Sequence, residues 1–158
     1  MRFINCIVFV SLPLLFGCAA TYKGPLLTYS PKAIEVLNKT QDLIFSAALS
    51  ALAEQGYTIT LSDRQSGIIS TGSKRLTLTE KDCDCGSTMG LPYIKDNRTT
   101  TNLSINITVT NNSFLVKSNI EGEYLPNDPV YGKKFTCIST GTIEDNIISL
   151  INSKLQSK

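Results

Sequence analysis

The sequence predicts an α+β domain in two layers, an antiparallel sheet of four to five strands covered by an N-terminal and a C-terminal helix. Three observations predict it. Apolar residues recur at helical spacing near both ends of the globular part. Between them, short segments alternate apolar and polar residues, each giving a strand with one apolar face. Such a face needs cover, and two amphipathic helices supply it. A chain of 158 residues suits one domain with a modest core.

Ala19 to Pro31 carries Gly24, Pro25, Ser30 and Pro31 without sustained periodicity and reads as a tether. The first helix is expected from Lys32, or from Thr40, to Gln55. Leu37, Ile44, Ala48, Ala51 and Leu52 share a stripe that Phe45 and Leu49 widen. Gly56 is placed to end it in the left-handed conformation. Tyr57, Ile59 and Leu61 then alternate with Thr58, Thr60 and Ser62 as a strand. Asp63 to Gly67 is a turn, with Asp63 able to bond the backbone that follows and Gly67 free to take positive φ. Ile68 to Thr71 returns, and Arg75 to Thr79 extends that strand or forms a third. Glu80 to Thr101 has no clear period, and a loop of that length in a compact domain is functional or stapled. Asn102 to Thr110 is the cleanest strand, with Leu103, Ile105, Ile107 and Val109 on one face. Asn111-Asn112 turns the chain, and Phe114, Val116 and Ile120 mark the return. A loop from Pro126 to Gly132 leads to a short segment at Phe135 to Ile138. The closing helix is expected from Thr142 to Leu155, with Ile143, Ile147, Leu150, Ile151 and Leu155 in one stripe. Glu144 and Asp145 suit its positive start.

The N-terminus is organised differently. Arg2 is the only charge before Cys18, and the mostly apolar run from Ile4 to Phe16 is too short to span a bilayer but suits a signal peptide. It ends in Leu15-Phe16-Gly17-Cys18, which resembles the lipobox of bacterial lipoproteins: aliphatic, variable, small, cysteine. The resemblance implies that residues 1–17 are removed and that Cys18 becomes an acylated N-terminus. Residues 18–31 would then be the lipidated tether and 32–158 a single domain. Several acyl chains hold a protein firmly to a membrane, at about 0.8 kcal/mol per buried methylene. Ala19, rather than Asp, after the cysteine resembles the outer-membrane sorting signal of two-membrane bacteria.

A second resemblance lies in Ala47 to Ser70, AALSALAEQGYTITLSDRQSGIIS. An alanine-rich helix ends in Gly-aromatic, an alternating strand follows, and an Asp-initiated turn closes with Gly before an aliphatic pair. This resembles the helix-grip domains of envelope lipoproteins such as BamC, an accessory lipoprotein of the outer-membrane β-barrel assembly machine. The resemblance implies fold and compartment and transfers no catalytic residue.

Five cysteines occur. Cys6 leaves with the leader and Cys18 takes the lipid, so Cys83, Cys85 and Cys137 remain in an oxidising compartment. One bridge is expected, from Cys137 to Cys83 or Cys85, with a slight preference for Cys85 beside Gly86; one thiol is then left over. Three thiolates near Asp82 and Asp84 can in principle hold zinc or copper, but Cys-x-Cys plus one distant cysteine without His is a weak metal pattern. The Cys-x-x-Cys arrangement of redox catalysts is absent.

The chain contains no His, which excludes Ser-His, Cys-His and His-metal chemistry built from this chain alone. A net charge of +2 with scattered basic residues does not point to nucleic acid. Glu121 and Glu123 share one side of a strand end and read as a solvated edge. Tyr93, Tyr124 and Tyr131 flank loops and form a possible binding surface, weighed against simple packing under the loops. No cofactor is implied. The reading is therefore a non-enzymatic accessory or structural envelope lipoprotein. It would sit on the periplasmic face of the outer membrane with an envelope protein as partner, possible roles including envelope protein assembly. The alternatives are a periplasmic small-ligand binder or sensor that uses a cavity between helix and sheet and, less favoured, a cysteine-based metal or redox protein.

Overall fold

The structure, a computed structural model, describes residues 22–28, 31–36, 38–126 and 132–156. Cys18 and Tyr131 lie outside them. In chain order the elements are β1 (Tyr22–Lys23), β2 (Lys32–Glu35), α1 (Gln41–Glu54), β3 (Ile59–Asp63), β4 (Ile68–Thr71), β5 (Lys74–Leu76), β6 (Cys83–Asp84), β7 (Ser87–Thr88) and β8 (Leu91–Pro92). A 3₁₀ turn (Tyr93–Lys95), β9 (Thr99–Thr110), β10 (Ser113–Tyr124), β11 (Lys133–Ser139) and α2 (Thr142–Gln156) complete the fold.

The hairpin of β9 and β10 is the spine, two strands of 12 residues paired from end to end. Its alternation is strict. Leu103, Ile105, Ile107 and Val109 of β9, with Phe114, Val116 and Ile120 of β10, are buried on one face. The other face carries Asn, Thr, Lys and Glu and meets water, as an antiparallel sheet permits. Each long strand is flanked by two short ones laid end to end. β4 and β5 pair with β9, and β2 and β11 pair with β10. β3 and β6 add the outermost rows.

Splitting a flank leaves a gap where a ladder hydrogen bond is missing, and a buried orphan N–H is costly. Both gaps are closed by side chains. Between β4 and β5, Thr71 Oγ1 accepts from the Ile105 N–H at 2.8 Å. Between β2 and β11, the Glu144 carboxylate of α2 accepts from the Ser118 N–H at 3.3 Å and from its hydroxyl at 2.5 Å.

The helices lie on the apolar face, packed against each other and against the spine. Thr40 caps α1 by accepting from the Leu43 N–H, and Gly56 ends it at φ +70°. Ile44, Phe45, Ala48, Ala51 and Leu52 of α1 and Ile147, Ile148, Ile151 and Leu155 of α2 complete the core. Among the described residues no helix is long and apolar enough to cross a membrane.

The main sheet therefore has eight strands, not four to five, and β1, β7 and β8 form a second sheet of three. The expected fold class is corrected on this point, and the helix-grip, BamC-like assignment is corrected with it. The physical reason lies in strand length. β1, β6, β7 and β8 span two residues each, too short to show alternation. Lys32–Glu35, where one of the two expected starts of the first helix falls, pairs instead with Ser113 to Val116. The segment read as a tether also contributes β1.

Candidate functional site

The predicted site residues that lie among the described ones gather at one end of the sheet, where the second sheet stacks on the first. The cysteines come first. Short strand β6 lies antiparallel to β11, with Cys83 opposite Ser139 and Asp84 opposite Ile138. The next position along brings Cys85 to Cys137, and the two form a disulfide with Cα atoms 4.1 Å apart. The preferred pairing is the one present. Cys83 is the thiol left over. Because i and i+2 share a face of a strand, its Sγ lies 3.8 Å from Cys85 Sγ.

The three sulfurs lie within 4.8 Å of one another and are buried. Two are bonded to each other, so only Cys83 can supply a thiolate while the bridge stands. Burial, reinforced by Asp82 and Asp84, pushes the Cys83 thiol up to about 12. It is a protonated, apolar neighbour of the bridge rather than a nucleophile.

The aromatic residues form the joint between the sheets. Phe135 of β11 lies over Gly122, where a Cβ would stand 2.2 Å from its ring. Tyr93 stacks on Phe135 at 4.8 Å and meets Tyr124 edge-on at 5.4 Å. Tyr22 of β1 closes the cluster, 5.9 Å from Tyr93 and 6.4 Å from Phe135. Such pairs contribute about 0.5–1.5 kcal/mol each beyond the area they bury. Tyr93 is 7% exposed, so its ring packs under the loop rather than presenting a surface. Tyr124 is half-buried with the Arg98 guanidinium 5.0 Å from its ring centre. The Lys133 ammonium stands 3.6 Å over Tyr22. The Tyr22 hydroxyl is raised by desolvation, with smaller effects from Tyr93 and Asp84.

On the opposite side of the second sheet is an open cleft of about 350 Å³. Lys23, Leu26, Leu27, Asp84, Gly90 and Pro92 contribute to its walls. Asp84 organises it. One carboxylate oxygen accepts from the Gly86 N–H and the other from the Leu26 N–H, both at 2.8 Å, which fastens the N-terminal segment to the stapled loop. Gly86 permits the approach, because it has φ +77° and a Cβ there would lie 2.3 Å from the Lys23 carbonyl oxygen.

Sequence reasoning missed the second sheet, and with it Tyr22, Leu26, Met89 and Leu91. A weak signal exists for it: Thr88-Met89-Gly90-Leu91 is a two-residue turn between strand residues, though Met in place of Asn or Asp hides it. Glu121 is exposed on the solvent face and Glu123 lies 3.9 Å from Lys134, so the pair belongs to a solvated surface.

No protein-family model matches the chain, and no curated protein matches it. Among solved structures it is similar to a TBP-like protein from Parabacteroides distasonis, at 19% identity and a TM-score of 0.44 over 68% of this chain and 64% of that one. It is also similar to a DUF4468 family protein from Bacteroides ovatus, at 19% identity and a TM-score of 0.45 over 66% of this chain and 58% of that one. The chain thus spans about three fifths of the length of each.

Proposed function

We propose that this protein is an outer-membrane lipoprotein, held on the periplasmic face by lipid on Cys18, that serves as a non-enzymatic accessory or structural component of the envelope and binds another envelope protein. One observation carries the reading: a short basic start and an apolar run end in Leu15-Phe16-Gly17-Cys18. The Cys85–Cys137 disulfide is in keeping with it, since such bridges persist in oxidising compartments. The alternative of a ligand binder using a space between helix and sheet has the packing there against it. Ala48, Leu52, Ile105 and Ile151 are fully buried at that interface.

Mass spectrometry of the native protein from detergent-solubilised membranes tests the anchor. The expected N-terminal peptide begins at Cys18 and carries acyl groups on sulfur and amine. An intact leader, or an unmodified N-terminal region in the cytosol, overturns the proposal. Crosslinking in intact cells then identifies the partner.

A further inference from the structure

We infer that the second sheet is a membrane-docking surface. The tip of its β7–β8 hairpin, Met89 and Leu91, together with Leu26 and Leu27, lies in the lipid–water interface of the bilayer that holds the Cys18 lipid. The inference rests on the lipid-anchor reading above and adds an orientation to it.

Three observations carry it. The first is reach. Four peptide steps separate Cys18 from Tyr22, a span of at most about 14 Å in any conformation. β1 is fixed to the hairpin by pairing of Tyr22 with Thr88 and Lys23 with Ser87, and Leu91 pairs with Thr88 one strand further on. Two strand spacings are about 10 Å, so an acylated Cys18 at headgroup level holds the hairpin tip within about 24 Å of itself, in reach of the membrane. The second is exposure. Leu26 is 93% exposed, Met89 74% and Leu91 71%, whereas the other exposed large apolar residues among those described reach 50% at most. Leu26 and Leu27 line the same cleft as Gly90, the residue between Met89 and Leu91, which sets the four at one end of the molecule.

The third observation is backbone and charge. Met89 has φ +49°, in the left-handed region where a two-residue hairpin turn favours Asn, Asp or Gly. An exposed, flexible apolar side chain held there at a conformational cost fits insertion into a fluid interface better than it fits water. Lys23 and Lys133 flank the same end; of the carboxylates beside them Glu80 is paired with Lys95 at 2.9 Å, while Asp84 keeps its charge and accepts from two backbone N–H groups. Lys23 and Lys133 against Asp84 leave a small positive excess toward anionic headgroups, with Tyr22 beneath Lys133 as an interfacial aromatic.

Met89 reports on itself, because the chain has two methionines and the other is Met1 of the leader. The full chain, matured in cells, is reconstituted into vesicles of saturated phosphatidylethanolamine and phosphatidylglycerol. Met89 oxidation by hydrogen peroxide is followed by mass spectrometry, which also reads the acyl groups on Cys18. The reference is the Leu26→Asp/Leu91→Asp variant, changed only at surface positions. Oxidation of the unsubstituted protein is expected to be at least about fivefold slower than in the variant, at every protein-to-lipid ratio. Equal rates on a protein that carries its acyl groups overturn the docking surface and leave the anchor standing. Protection that grows with protein density assigns the surface to a second copy and also overturns it. A Cys18 without lipid removes the anchor and the docking together.

Discussion

Cys83 lies beside a disulfide without sharing in it, and its surroundings explain the outcome. A thiol exchanges with a disulfide as the thiolate, and burial among apolar groups with two flanking aspartates holds this one protonated, up to about 12. The consequence for stability has a definite sign. In the unfolded chain the thiol ionises at its ordinary value, near pH 9; in the folded protein it keeps its proton well above that. The contribution is therefore fully present below pH 9 and lost as pH rises from there through about 12. At pH 8 Cys83 of the folded protein should resist iodoacetamide and become alkylated when urea is added, as peptide mass spectrometry at that residue reads. The unfolding free energy should decline with rising alkalinity, and Cys83→Ala should remove that part of the decline. Prompt alkylation of Cys83 itself in the folded protein at pH 8 would show the site to be open or ionised.

At the scale of elements, the design problem is how two long strands accept flanks built from four short ones. Each break must supply an acceptor for the strand behind it, and Glu144 does so for β10 while also accepting from the Ser139 hydroxyl at 2.6 Å. Its place in the first turn of α2 gives the carboxylate a favourable helix start as well. Glu144→Leu leaves Ser118 and Ser139 facing an apolar group. It should lower the unfolding free energy by about 3 kcal/mol, whereas Glu144→Gln, which still accepts at one atom, should lose about half of that. Urea denaturation of the two variants reads the difference, and equal losses would assign the effect to shape rather than to hydrogen bonding. The long elements were legible because their signals are long. The alternation of Asn102 to Thr110, the stripes of both helices and the glycine stop at Gly56 are patterns over many residues or one well-placed conformational need. Asp63 likewise accepts from Gln65 and Ser66 as its turn requires. β6, β7 and β8 were not legible, because two-residue strands owe their pairing to the neighbour they meet rather than to their own pattern. In the sequence Glu144 reads only as a helix-start charge, because nothing there announces a gap in a strand far away.

The whole molecule is a large sheet with a small one fastened to its end. The small sheet has almost no core of its own. It is held by the aromatic stack, the Asp84 contacts and, through the stapled loop, the Cys85–Cys137 bridge. That bridge closes a separation of 52 residues, running from the loop across β9 and β10 to β11. In the chain-entropy account a closure of this size stabilises by about 4 kcal/mol, since it acts mainly on the unfolded chain. The folded contacts of β9 and β10 do not depend on it, so its loss should be felt unevenly. Cys85→Ser/Cys137→Ser should lower the unfolding free energy of the whole domain by about 4 kcal/mol. Hydrogen exchange should show a second effect confined to one end. Amides of β1, β6, β7 and β8 should lose protection well before those of the spine, because subglobal opening follows the segments with fewest buried contacts. Uniform loss of protection across spine and small sheet would mean that the two sheets open as one unit, with the aromatic joint rather than the bridge setting their coupling.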